Sequence, residues 1–327
     1  MSRISPLAIG ITFFTLIGLA GAGVSVAQSL PQPCEPLGGP GKASTLVSAD
    51  GGEPGVPPVL TFPTPLVTDG TEISVVSQGS GVQAAEGSAV DFHVAAYLGS
   101  GGQLLTASSF NPSEPVRRVT SAQSEDYFGR ALMCATSGER LVLTDLVANV
   151  FGPIPEDEIV QNDSTVVLVI DVLNAYLPSA AGARGALVDQ APMIVQHPSG
   201  RHGVTVPMGT APEELVVYEV KRGNGELLEE GDQVVTHFTG VVWETKQTFS
   251  SSFDQNTPVT LTLQDGGAEG ATGGVISGVF KGLVGQRVGS QVAVVVPPSE
   301  GYPEGNQPAG VPEGATLIYV FDILGVQ

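Results

Sequence analysis

Residues 165–173 read TVVLVIDVL, and residues 316–324 read TLIYVFDIL. Both stretches are rich in β-branched and aromatic side chains, which favour β-strands. Thr165 matches Thr316, and Asp171 with the two aliphatic residues after it matches Asp322 with the two after it. The matching residues are 151 positions apart (165 to 316). Upstream, His93 matches His237 and Gly79-Ser80-Gly81 matches Gly223-Asn224-Gly225, 144 positions apart (93 to 237). Because many positions recur in the same order, the sequence predicts a tandem duplication with a loop insertion in the second copy.

Each copy is predicted to form an α+β domain, an antiparallel twisted sheet wrapped around one short helix. In the second copy the predicted strands include 234–239 and 288–296, and the helix-compatible stretch is 276–284. A hairpin is predicted before each domain, most clearly over 193–207, where residues 197–200 supply a His-Pro-Ser-Gly turn. The predicted organisation is a signal segment 1–27, a flexible tail 28–58, a first domain 59–178, a linker 179–192 and a second domain 193–327.

The N-terminal segment has the layout of a secretory signal. Residues 7–27 carry no charge, follow Arg3 and end in Ser25-Val26-Ala27, a small-residue cleavage pattern. A run of this length also allows an uncleaved membrane anchor. Lipidation at Cys34 is disfavoured, because Pro31-Gln32-Pro33 precedes it. We therefore expect an extracytoplasmic protein, secreted or associated with the cell envelope.

The charge balance excludes two classes of partner. The chain has 33 acidic and 13 basic residues, a formal net charge of −20. Nucleic acid and anionic membrane surfaces are poor partners for such a chain, so membrane attachment is expected only through the N-terminal segment. The four histidines are scattered without the spacing of a metal site, and no metal is expected.

The two cysteines, Cys34 and Cys134, are an even number in a chain expected to enter an oxidising compartment. This parity predicts one disulfide that joins the N-terminal tail to the first domain. Two unrelated thiols are the alternative.

Short motifs of the second copy occur in an informative order. They are His237-Phe238-Thr239-Gly240, Phe249-Ser250-Ser251-Ser252, Val275-Ile276-Ser277-Gly278, Pro298 to Tyr302, and Val311-Pro312 leading into Ala315-Thr316-Leu317. Together they resemble the FKBP-type peptidyl-prolyl cis-trans isomerases over residues 215–327, essentially the whole second domain. The resemblance implies a five- or six-stranded antiparallel sheet around one short helix. The implied substrate pocket lies between the concave face of the sheet and the helix.

The resemblance also assigns roles within that pocket. Catalytic roles fall to Tyr302 through its hydroxyl, to Phe249 as an aromatic wall and to the backbone N–H of Ile276 as a donor to the substrate carbonyl. The other implied substrate contacts are Phe238, Ser250, Val275, Val279, Val311 and Tyr319. The implied chemistry is preferential binding of a twisted X-Pro amide, which needs no cofactor, nucleophile or metal.

Both copies depart from the family pattern. In the second copy Ser250 stands where the family usually has Asp, Val279 where it often has Trp, and Phe238 where it has Tyr, so reduced activity is expected. The first copy has Ser124-Glu125, Leu105, Phe151 and Leu168 at the positions of Val275-Ile276, Phe249, Tyr302 and Tyr319. A carboxylate at the rim and a missing hydroxyl both oppose binding of an apolar ring. We expect the first copy to keep the fold and to have lost the site.

The leading hypothesis is a monomeric isomerase acting on proline-containing polypeptides, exported or unfolded. A non-catalytic chaperone-like module that holds unfolded segments outside the cytoplasm is the alternative. A surface adhesin or wall-associated structural protein is a third hypothesis that no particular residue favours.

Overall fold

A computed structural model describes residues 34–51, 56–155, 160–186, 188–197, 200–268 and 273–327. All of these residues fall within one compact unit, Cys34–Gln327. The predicted signal segment, 1–27, lies outside the described residues. Among the residues that are described, no helix is long and apolar enough to cross a membrane.

The first domain begins with a two-stranded ribbon of β1 (Ser48–Asp50) and β2 (Val59–Thr61). A six-stranded antiparallel sheet follows, in the order β3-β7-β8-β4-β5 with β6 also paired to β4. The strands and helices are β3 (Glu72–Ser77), β4 (Ala89–Leu98), β5 (Leu104–Ala107), β6 (Val116–Val119), α1 (Tyr127–Ala131), β7 (Arg140–Leu146), α2 (Val147–Phe151) and β8 (Thr165–Ala175).

The second domain repeats this order. Its sheet runs β9-β12-β16-β17-β13-β14, with β15 also paired to β13, and a separate hairpin of β10 and β11 precedes it. The elements are β9 (Ala183–Arg184), β10 (Met193–Gln196), β11 (His202–Thr205), β12 (Val216–Arg222), β13 (Gln233–Val242), β14 (Thr248–Ser251), β15 (Val259–Thr262), α3 (Ser277–Leu283), β16 (Gln291–Val296) and β17 (Leu317–Val326).

The pairing register confirms that the two domains are copies of one fold. His93 of β4 lies opposite Asp171 of β8, and His237 of β13 lies opposite Asp322 of β17. The duplicated α+β architecture predicted from the sequence is therefore correct. One difference concerns helices: the first domain has a second short helix, α2, where the second domain has only a 3-10 turn at Pro298–Glu300. Pro298 begins that turn, a position where its missing N–H costs no helical hydrogen bond.

Strands β8 and β17 each contribute side chains to two hydrophobic cores, one on each face of their sheet. In β17, Leu317, Tyr319 and Phe321 face the core that includes α3, and the alternate residues Ile318 and Val320 face a core on the other side of the sheet. The strand is buried on both faces because the helix covers one and the hairpin β10-β11 covers the other. In β8 the same alternation divides Leu168 from Val167 and Val169. Period-two alternation between two apolar layers explains why these strands read as continuous hydrophobic runs.

The helix α3 packs very closely on the sheet because two of its residues lack side chains. A Cβ at Gly278 would lie 2.5 Å from a methyl of Val296, and one at Gly282 would lie 2.7 Å from a methyl of Val294. Both distances are far shorter than real carbon contacts, so alanine at either position would push the helix off the sheet. This close approach sets the depth of the space that remains beside the helix.

In the segment predicted as a flexible tail, 28–58, the described residues 34–51 pack on the first domain, a correction to that expectation. Ala43, Val47 and Ala49 are buried against the outer face of the first sheet. Cys34 and Cys134 form a disulfide, with their Cα atoms 5.5 Å apart, as the parity of the cysteines predicted. Residues 43–49 thus cover the outer face of the first sheet, as β10 and β11 cover that of the second.

The segment predicted as a linker, 179–192, also makes specific contacts. The N–H of Ala180 donates to Asp322 Oδ2 over 3.2 Å, and Ala180 O accepts from Lys221 Nζ over 2.8 Å. Strand β9 within this segment pairs with β12. These contacts fasten the connection to the sheet of the second domain.

A buried ion pair within the first domain is linked to the second domain by a hydrogen bond. The guanidinium of Arg117 donates to both carboxylate oxygens of Asp91, at 2.6 and 2.7 Å, and to Thr260 Oγ1 of the second domain at 2.9 Å. The hydroxyl of Tyr176 donates to the same carboxylate at 2.8 Å. The ring of Tyr176 packs in a small core with Ala89, Val235 and Leu324, which come from both domains. Polar and apolar contacts therefore hold the domains together.

Candidate functional site

The second domain contains a hollow of about 280 Å³ between its sheet and α3. Eight of the nine residues predicted as site residues line it: Phe238, Phe249, Ser250, Val275, Ile276, Val279, Tyr302 and Tyr319. The ninth, Val311, lies instead beside an adjoining hollow of about 220 Å³, which shares Tyr302 with the first. Sequence reasoning missed four lining residues: Leu261, Gly274, Pro308 and Phe321.

Aromatic rings from two neighbouring strands form the floor and one wall. Gly240 pairs with Tyr319, and Phe238 pairs with Phe321, so these rings lie on the same face of the sheet. The ring centroids of Tyr319 and Phe249 are 5.6 Å apart, edge to face. A Cβ at Gly240 would lie 2.6 Å from the ring of Phe249, so only glycine leaves room for that ring. The alternation that identifies Tyr319 as inward-facing could also have identified Phe321.

Two phenol hydroxyls meet at the side of the hollow. The Oη atoms of Tyr302 and Tyr319 are 2.9 Å apart, within hydrogen-bond distance. Burial, with a smaller contribution from Tyr302, raises the pKa of Tyr319 above its usual value, so this phenol stays protonated. Since one hydroxyl donates to the other, the second O–H is left to donate to a bound group. The sequence identified each tyrosine but not their direct contact.

The rim at Val275 and Ile276 is held by the preceding loop. Val275 N–H donates to Gln264 O at 3.0 Å, and Val275 O accepts from Gly266 N–H at 2.8 Å. The carbonyl of Ile276 accepts from the N–H groups of Val279 and Phe280 at the start of α3. The N–H of Ile276 itself has no acceptor within the part of the chain that the structure describes, so it is available to a ligand.

A histidine and a serine fix the wall that carries Phe238. Ser252 Oγ lies 2.8 Å from His237 Nδ1 and accepts from Phe238 N–H at 2.9 Å. The ring of His237 stacks on Phe253 with centroids 4.3 Å apart. Burial lowers the pKa of His237 from 6.5 to about 4, so the imidazole is neutral at pH 7. His237 is thus a packed structural residue, as predicted from its place in a strand, and Ser252 is its unpredicted partner.

The first domain has a hollow of about 230 Å³ at the equivalent place. Its apolar lining includes Phe92, Val94, Phe128, Phe151 and Leu168. Phe151 and Leu168 occupy the positions of Tyr302 and Tyr319, so the pair of hydroxyls is missing, as predicted. The expectation that the site is lost altogether is too strong, however, because the space itself remains. The phenyl ring of Phe128, where the second domain has the smaller Val279, keeps one wall apolar.

Neither hollow resembles a metal centre. Among the described residues, no group of three or more His, Cys, Asp or Glu side chains could hold a metal ion. The second hollow offers an apolar surface with two kinds of hydrogen-bond donor, phenol and backbone amide. Such a surface can bind a small apolar ring and an adjacent carbonyl oxygen.

Comparison with known proteins matches residues 225–324 to the family described as FKBP-type peptidyl-prolyl cis-trans isomerase. A probable FK506-binding protein of Corynebacterium glutamicum is 32% identical over 126 residues, which are 37% of this chain and 94% of that protein. An FK506-binding protein of Streptomyces anulatus is 30% identical over 126 residues, 38% of this chain and 94% of that protein.

FK506-binding protein 2B of Rhizopus delemar is 36% identical over 97 residues, 30% of this chain and 43% of that protein. Among solved structures, the three FKBP domains of wheat FKBP73 align at 18% identity with a TM-score of 0.33, covering 79% of this chain and 95% of that one. FkpA from Escherichia coli aligns at 25% identity with a TM-score of 0.30, covering 41% and 51%.

Proposed function

This chain belongs to the FKBP-type peptidyl-prolyl cis-trans isomerase family, and we propose that its second domain isomerises X-Pro bonds of polypeptides in the hollow of about 280 Å³. The observation that carries the proposal is the arrangement of that hollow. It joins apolar walls to two donors, the Tyr302–Tyr319 hydroxyl pair and the N–H of Ile276.

The physical basis is preferential binding of a twisted amide. Rotation about a peptide bond crosses a barrier of about 18–20 kcal/mol because it breaks amide resonance. The twisted amide has less charge separation than the planar one, so an apolar, poorly hydrated surface favours it relative to water. An enzyme that binds the twisted form more tightly than either planar form lowers the barrier without any covalent step.

The donors have distinct roles in this proposal. The rings of Phe238, Phe249 and Tyr319 hold the pyrrolidine ring, and the N–H of Ile276 donates to a substrate carbonyl. The hydroxyl of Tyr302 donates to a second carbonyl beside the proline. Because Tyr319 binds the hydroxyl of Tyr302 from the other side, Tyr319 also orients that donor.

A test of these roles measures turnover of a blocked Ala-Leu-Pro-Phe tetrapeptide by the full chain in a protease-coupled assay. Tyr302→Phe should lower kcat/KM about two- to tenfold, the equivalent of one net hydrogen bond of about 0.5–1.5 kcal/mol. Phe249→Ala should lower it as well, through loss of the aromatic wall. Tyr218→Phe is the matched control, because Tyr218 packs on the opposite face of the sheet. Full turnover by both site variants would refute the assignment.

We propose that activity is reduced relative to typical relatives. Ser250 supplies a small hydroxyl where the resemblance expects a carboxylate, and Val279 supplies a small side chain where the resemblance often expects Trp. Replacing both, in the variant Ser250→Asp with Val279→Trp, should raise turnover. A parent chain that matches the Corynebacterium glutamicum relative in a side-by-side assay would contradict the proposal.

We also propose that the protein acts outside the cytoplasm, as a monomer, on exported polypeptides. The Cys34–Cys134 disulfide supports this location, since disulfides persist in oxidising compartments. Cell fractionation should find the chain in the envelope or the medium, with both cysteines blocked to alkylation. Light scattering of the purified protein should give the mass of one chain.

A further inference from the structure

The hollow of the first domain has no role in the isomerase reaction, yet its walls are built like those of a binding site. We propose that it is a second, non-catalytic site for an apolar, extended segment of the same polypeptide whose proline the second domain isomerises. The inference rests on the proposed function of the second domain. Three observations carry it.

The first observation is that the framework of the hollow is intact. Ser108 Oγ lies 3.0 Å from His93 Nδ1 and accepts from Val94 N–H at 3.1 Å, matching Ser252, His237 and Phe238 in the second domain. The hollow still measures about 230 Å³, although the larger Phe128 stands where the second domain has Val279. Phe151, which lines the hollow, is 42% exposed, so its ring is accessible to a bound chain.

The second observation is the chemistry of the lining. With Phe151 and Leu168 in place of the two tyrosines, the hollow has no phenol to donate to a twisted amide. Arg118 stands where the second domain has Leu261, as the strand registers show. Its guanidinium contacts Asp126 and Arg117 O and has further N–H groups that can donate to backbone carbonyls. Such a site holds an apolar segment by its side chains and backbone without favouring rotation of any bond.

The third observation is the path between the two hollows. Arg117 of β6 touches Thr260 of β15, and the next residues, Arg118 and Leu261, line the first and second hollow respectively. A cleft of about 1050 Å³ between the domains is lined by Arg118 and by residues 255–257, just before β15. A substrate chain that lies along this cleft meets the first hollow at Arg118 and the segment just before β15, the strand that carries Leu261 of the second hollow. Linking two weak contacts in this way raises the effective affinity for a long substrate.

Binding is tested on the full chain by following backbone amide resonances during titration with the blocked Ala-Leu-Pro-Phe tetrapeptide. Amides of the first hollow, such as those of Val94 and Thr106, should shift along with those of the second. Thr106→Trp places an indole over the mouth of the first hollow from an exposed strand position and should abolish the first set of shifts. Thr106→Phe, with a smaller ring at the same exposed position, should weaken the same shifts.

Leu104→Trp is the matched control, since Leu104 is exposed on the same strand but does not line the hollow. Both sets of shifts should persist in it. Shifts confined to the second hollow in the parent chain would overturn the inference. Failure of the proposed function looks different: the first set of shifts would appear while the parent chain shows no turnover of the tetrapeptide.

The functional consequence is tested with a long substrate, an unfolded protein whose refolding is limited by proline isomerisation. The ratio of kcat/KM for this protein to kcat/KM for the tetrapeptide should fall about tenfold in Thr106→Trp, since tethering through a second site is worth at least that much. The ratio should stay at the parent value in Leu104→Trp. An unchanged ratio in Thr106→Trp and Thr106→Phe would overturn the inference.

Discussion

Replacing Arg117 with Met tests the junction between the domains most directly. The variant leaves the carboxylate of Asp91, which is 0% exposed, without its cationic partner. Removing one member of a buried ion pair costs about 3–5 kcal/mol, because the remaining charge stays desolvated. Arg117 also donates to Thr260 and Gln327 of the second domain, so the same change weakens the contact between the domains.

The magnitude should be visible in urea unfolding followed by two signals. Fluorescence of Trp243, the single tryptophan, reports the second domain, and far-ultraviolet circular dichroism reports both. We expect coincident transitions in the parent chain. In Arg117→Met the dichroism transition should begin at lower urea, with the unfolding free energy of the first domain reduced by about 3–5 kcal/mol.

Two further variants separate the contributions. Asp91→Val with Arg117→Thr installs the residues that the second domain has at these positions, Val235 and Thr260. It removes both charges and leaves only the buried hydroxyl of Tyr176 without an acceptor, a cost of about 1–3 kcal/mol. Arg140→Met breaks the Arg140–Asp171 pair inside the first domain and should not separate the transitions. A loss below about 1 kcal/mol in Arg117→Met would refute the reasoning, since it is far less than an unpaired buried charge costs.

Two more predictions concern pH and redox conditions. The pKa of His237 falls from 6.5 to about 4 on folding, so the unfolded chain binds more protons between these pH values and stability should fall as pH drops from 6.5 to 4. The loss of unfolding free energy from this group is about 3 kcal/mol at most, at about 1.36 kcal/mol per pKa unit. Urea titrations should show that the unfolding free energy of His237→Gln depends less steeply on pH than that of the parent chain. The same pH dependence in both would contradict this prediction. Reducing Cys34–Cys134 opens a loop with a sequence separation of 100 and should destabilise the first domain by up to about 4.7 kcal/mol in a chain-entropy estimate. Thermal melts with and without reductant check the loss, and tetrapeptide turnover should survive reduction because the second domain has no cysteine.

The repeat and most of the residues that line the second hollow could be predicted from the sequence, because short motifs occur in a fixed order along the chain. Strands such as 165–173 and 316–324 are recognisable by composition, and the short motifs of the second copy keep their order. Tyr319 and Phe249 were assigned to the hollow by that order alone. Val311, expected on the loop above the pocket, lies beside the adjoining hollow that shares Tyr302, and its role in binding stays a prediction.

Features that depend on distant contacts could not be predicted. The segment after Cys34 looks like a tail because it is rich in Gly and Pro, yet it covers the outer face of the sheet. Nothing near Arg117 in the sequence indicates that its guanidinium reaches Asp91 on another strand and Thr260 in another domain. The loss of the site in the first domain was predicted from substitutions in the sequence. The volume of the hollow depends instead on contacts that fix the backbone around it, and these cannot be read from single residues.

The two hollows show that the contacts that hold the backbone around the site differ from the groups that would act on a substrate. A His–Ser hydrogen bond fixes the wall strand in both domains, through His93 with Ser108 and His237 with Ser252. In both domains the same serine hydroxyl also accepts from the backbone of the wall strand, at Val94 and at Phe238, so the contact supports the frame whichever side chains line the hollow. The phenol pair stabilises nothing outside the hollow, and Phe151 and Leu168 can replace it while the packing is kept. A duplicated domain can therefore lose the donors needed for rotation of an amide and still retain an apolar recess, which leaves binding as the function open to the first copy.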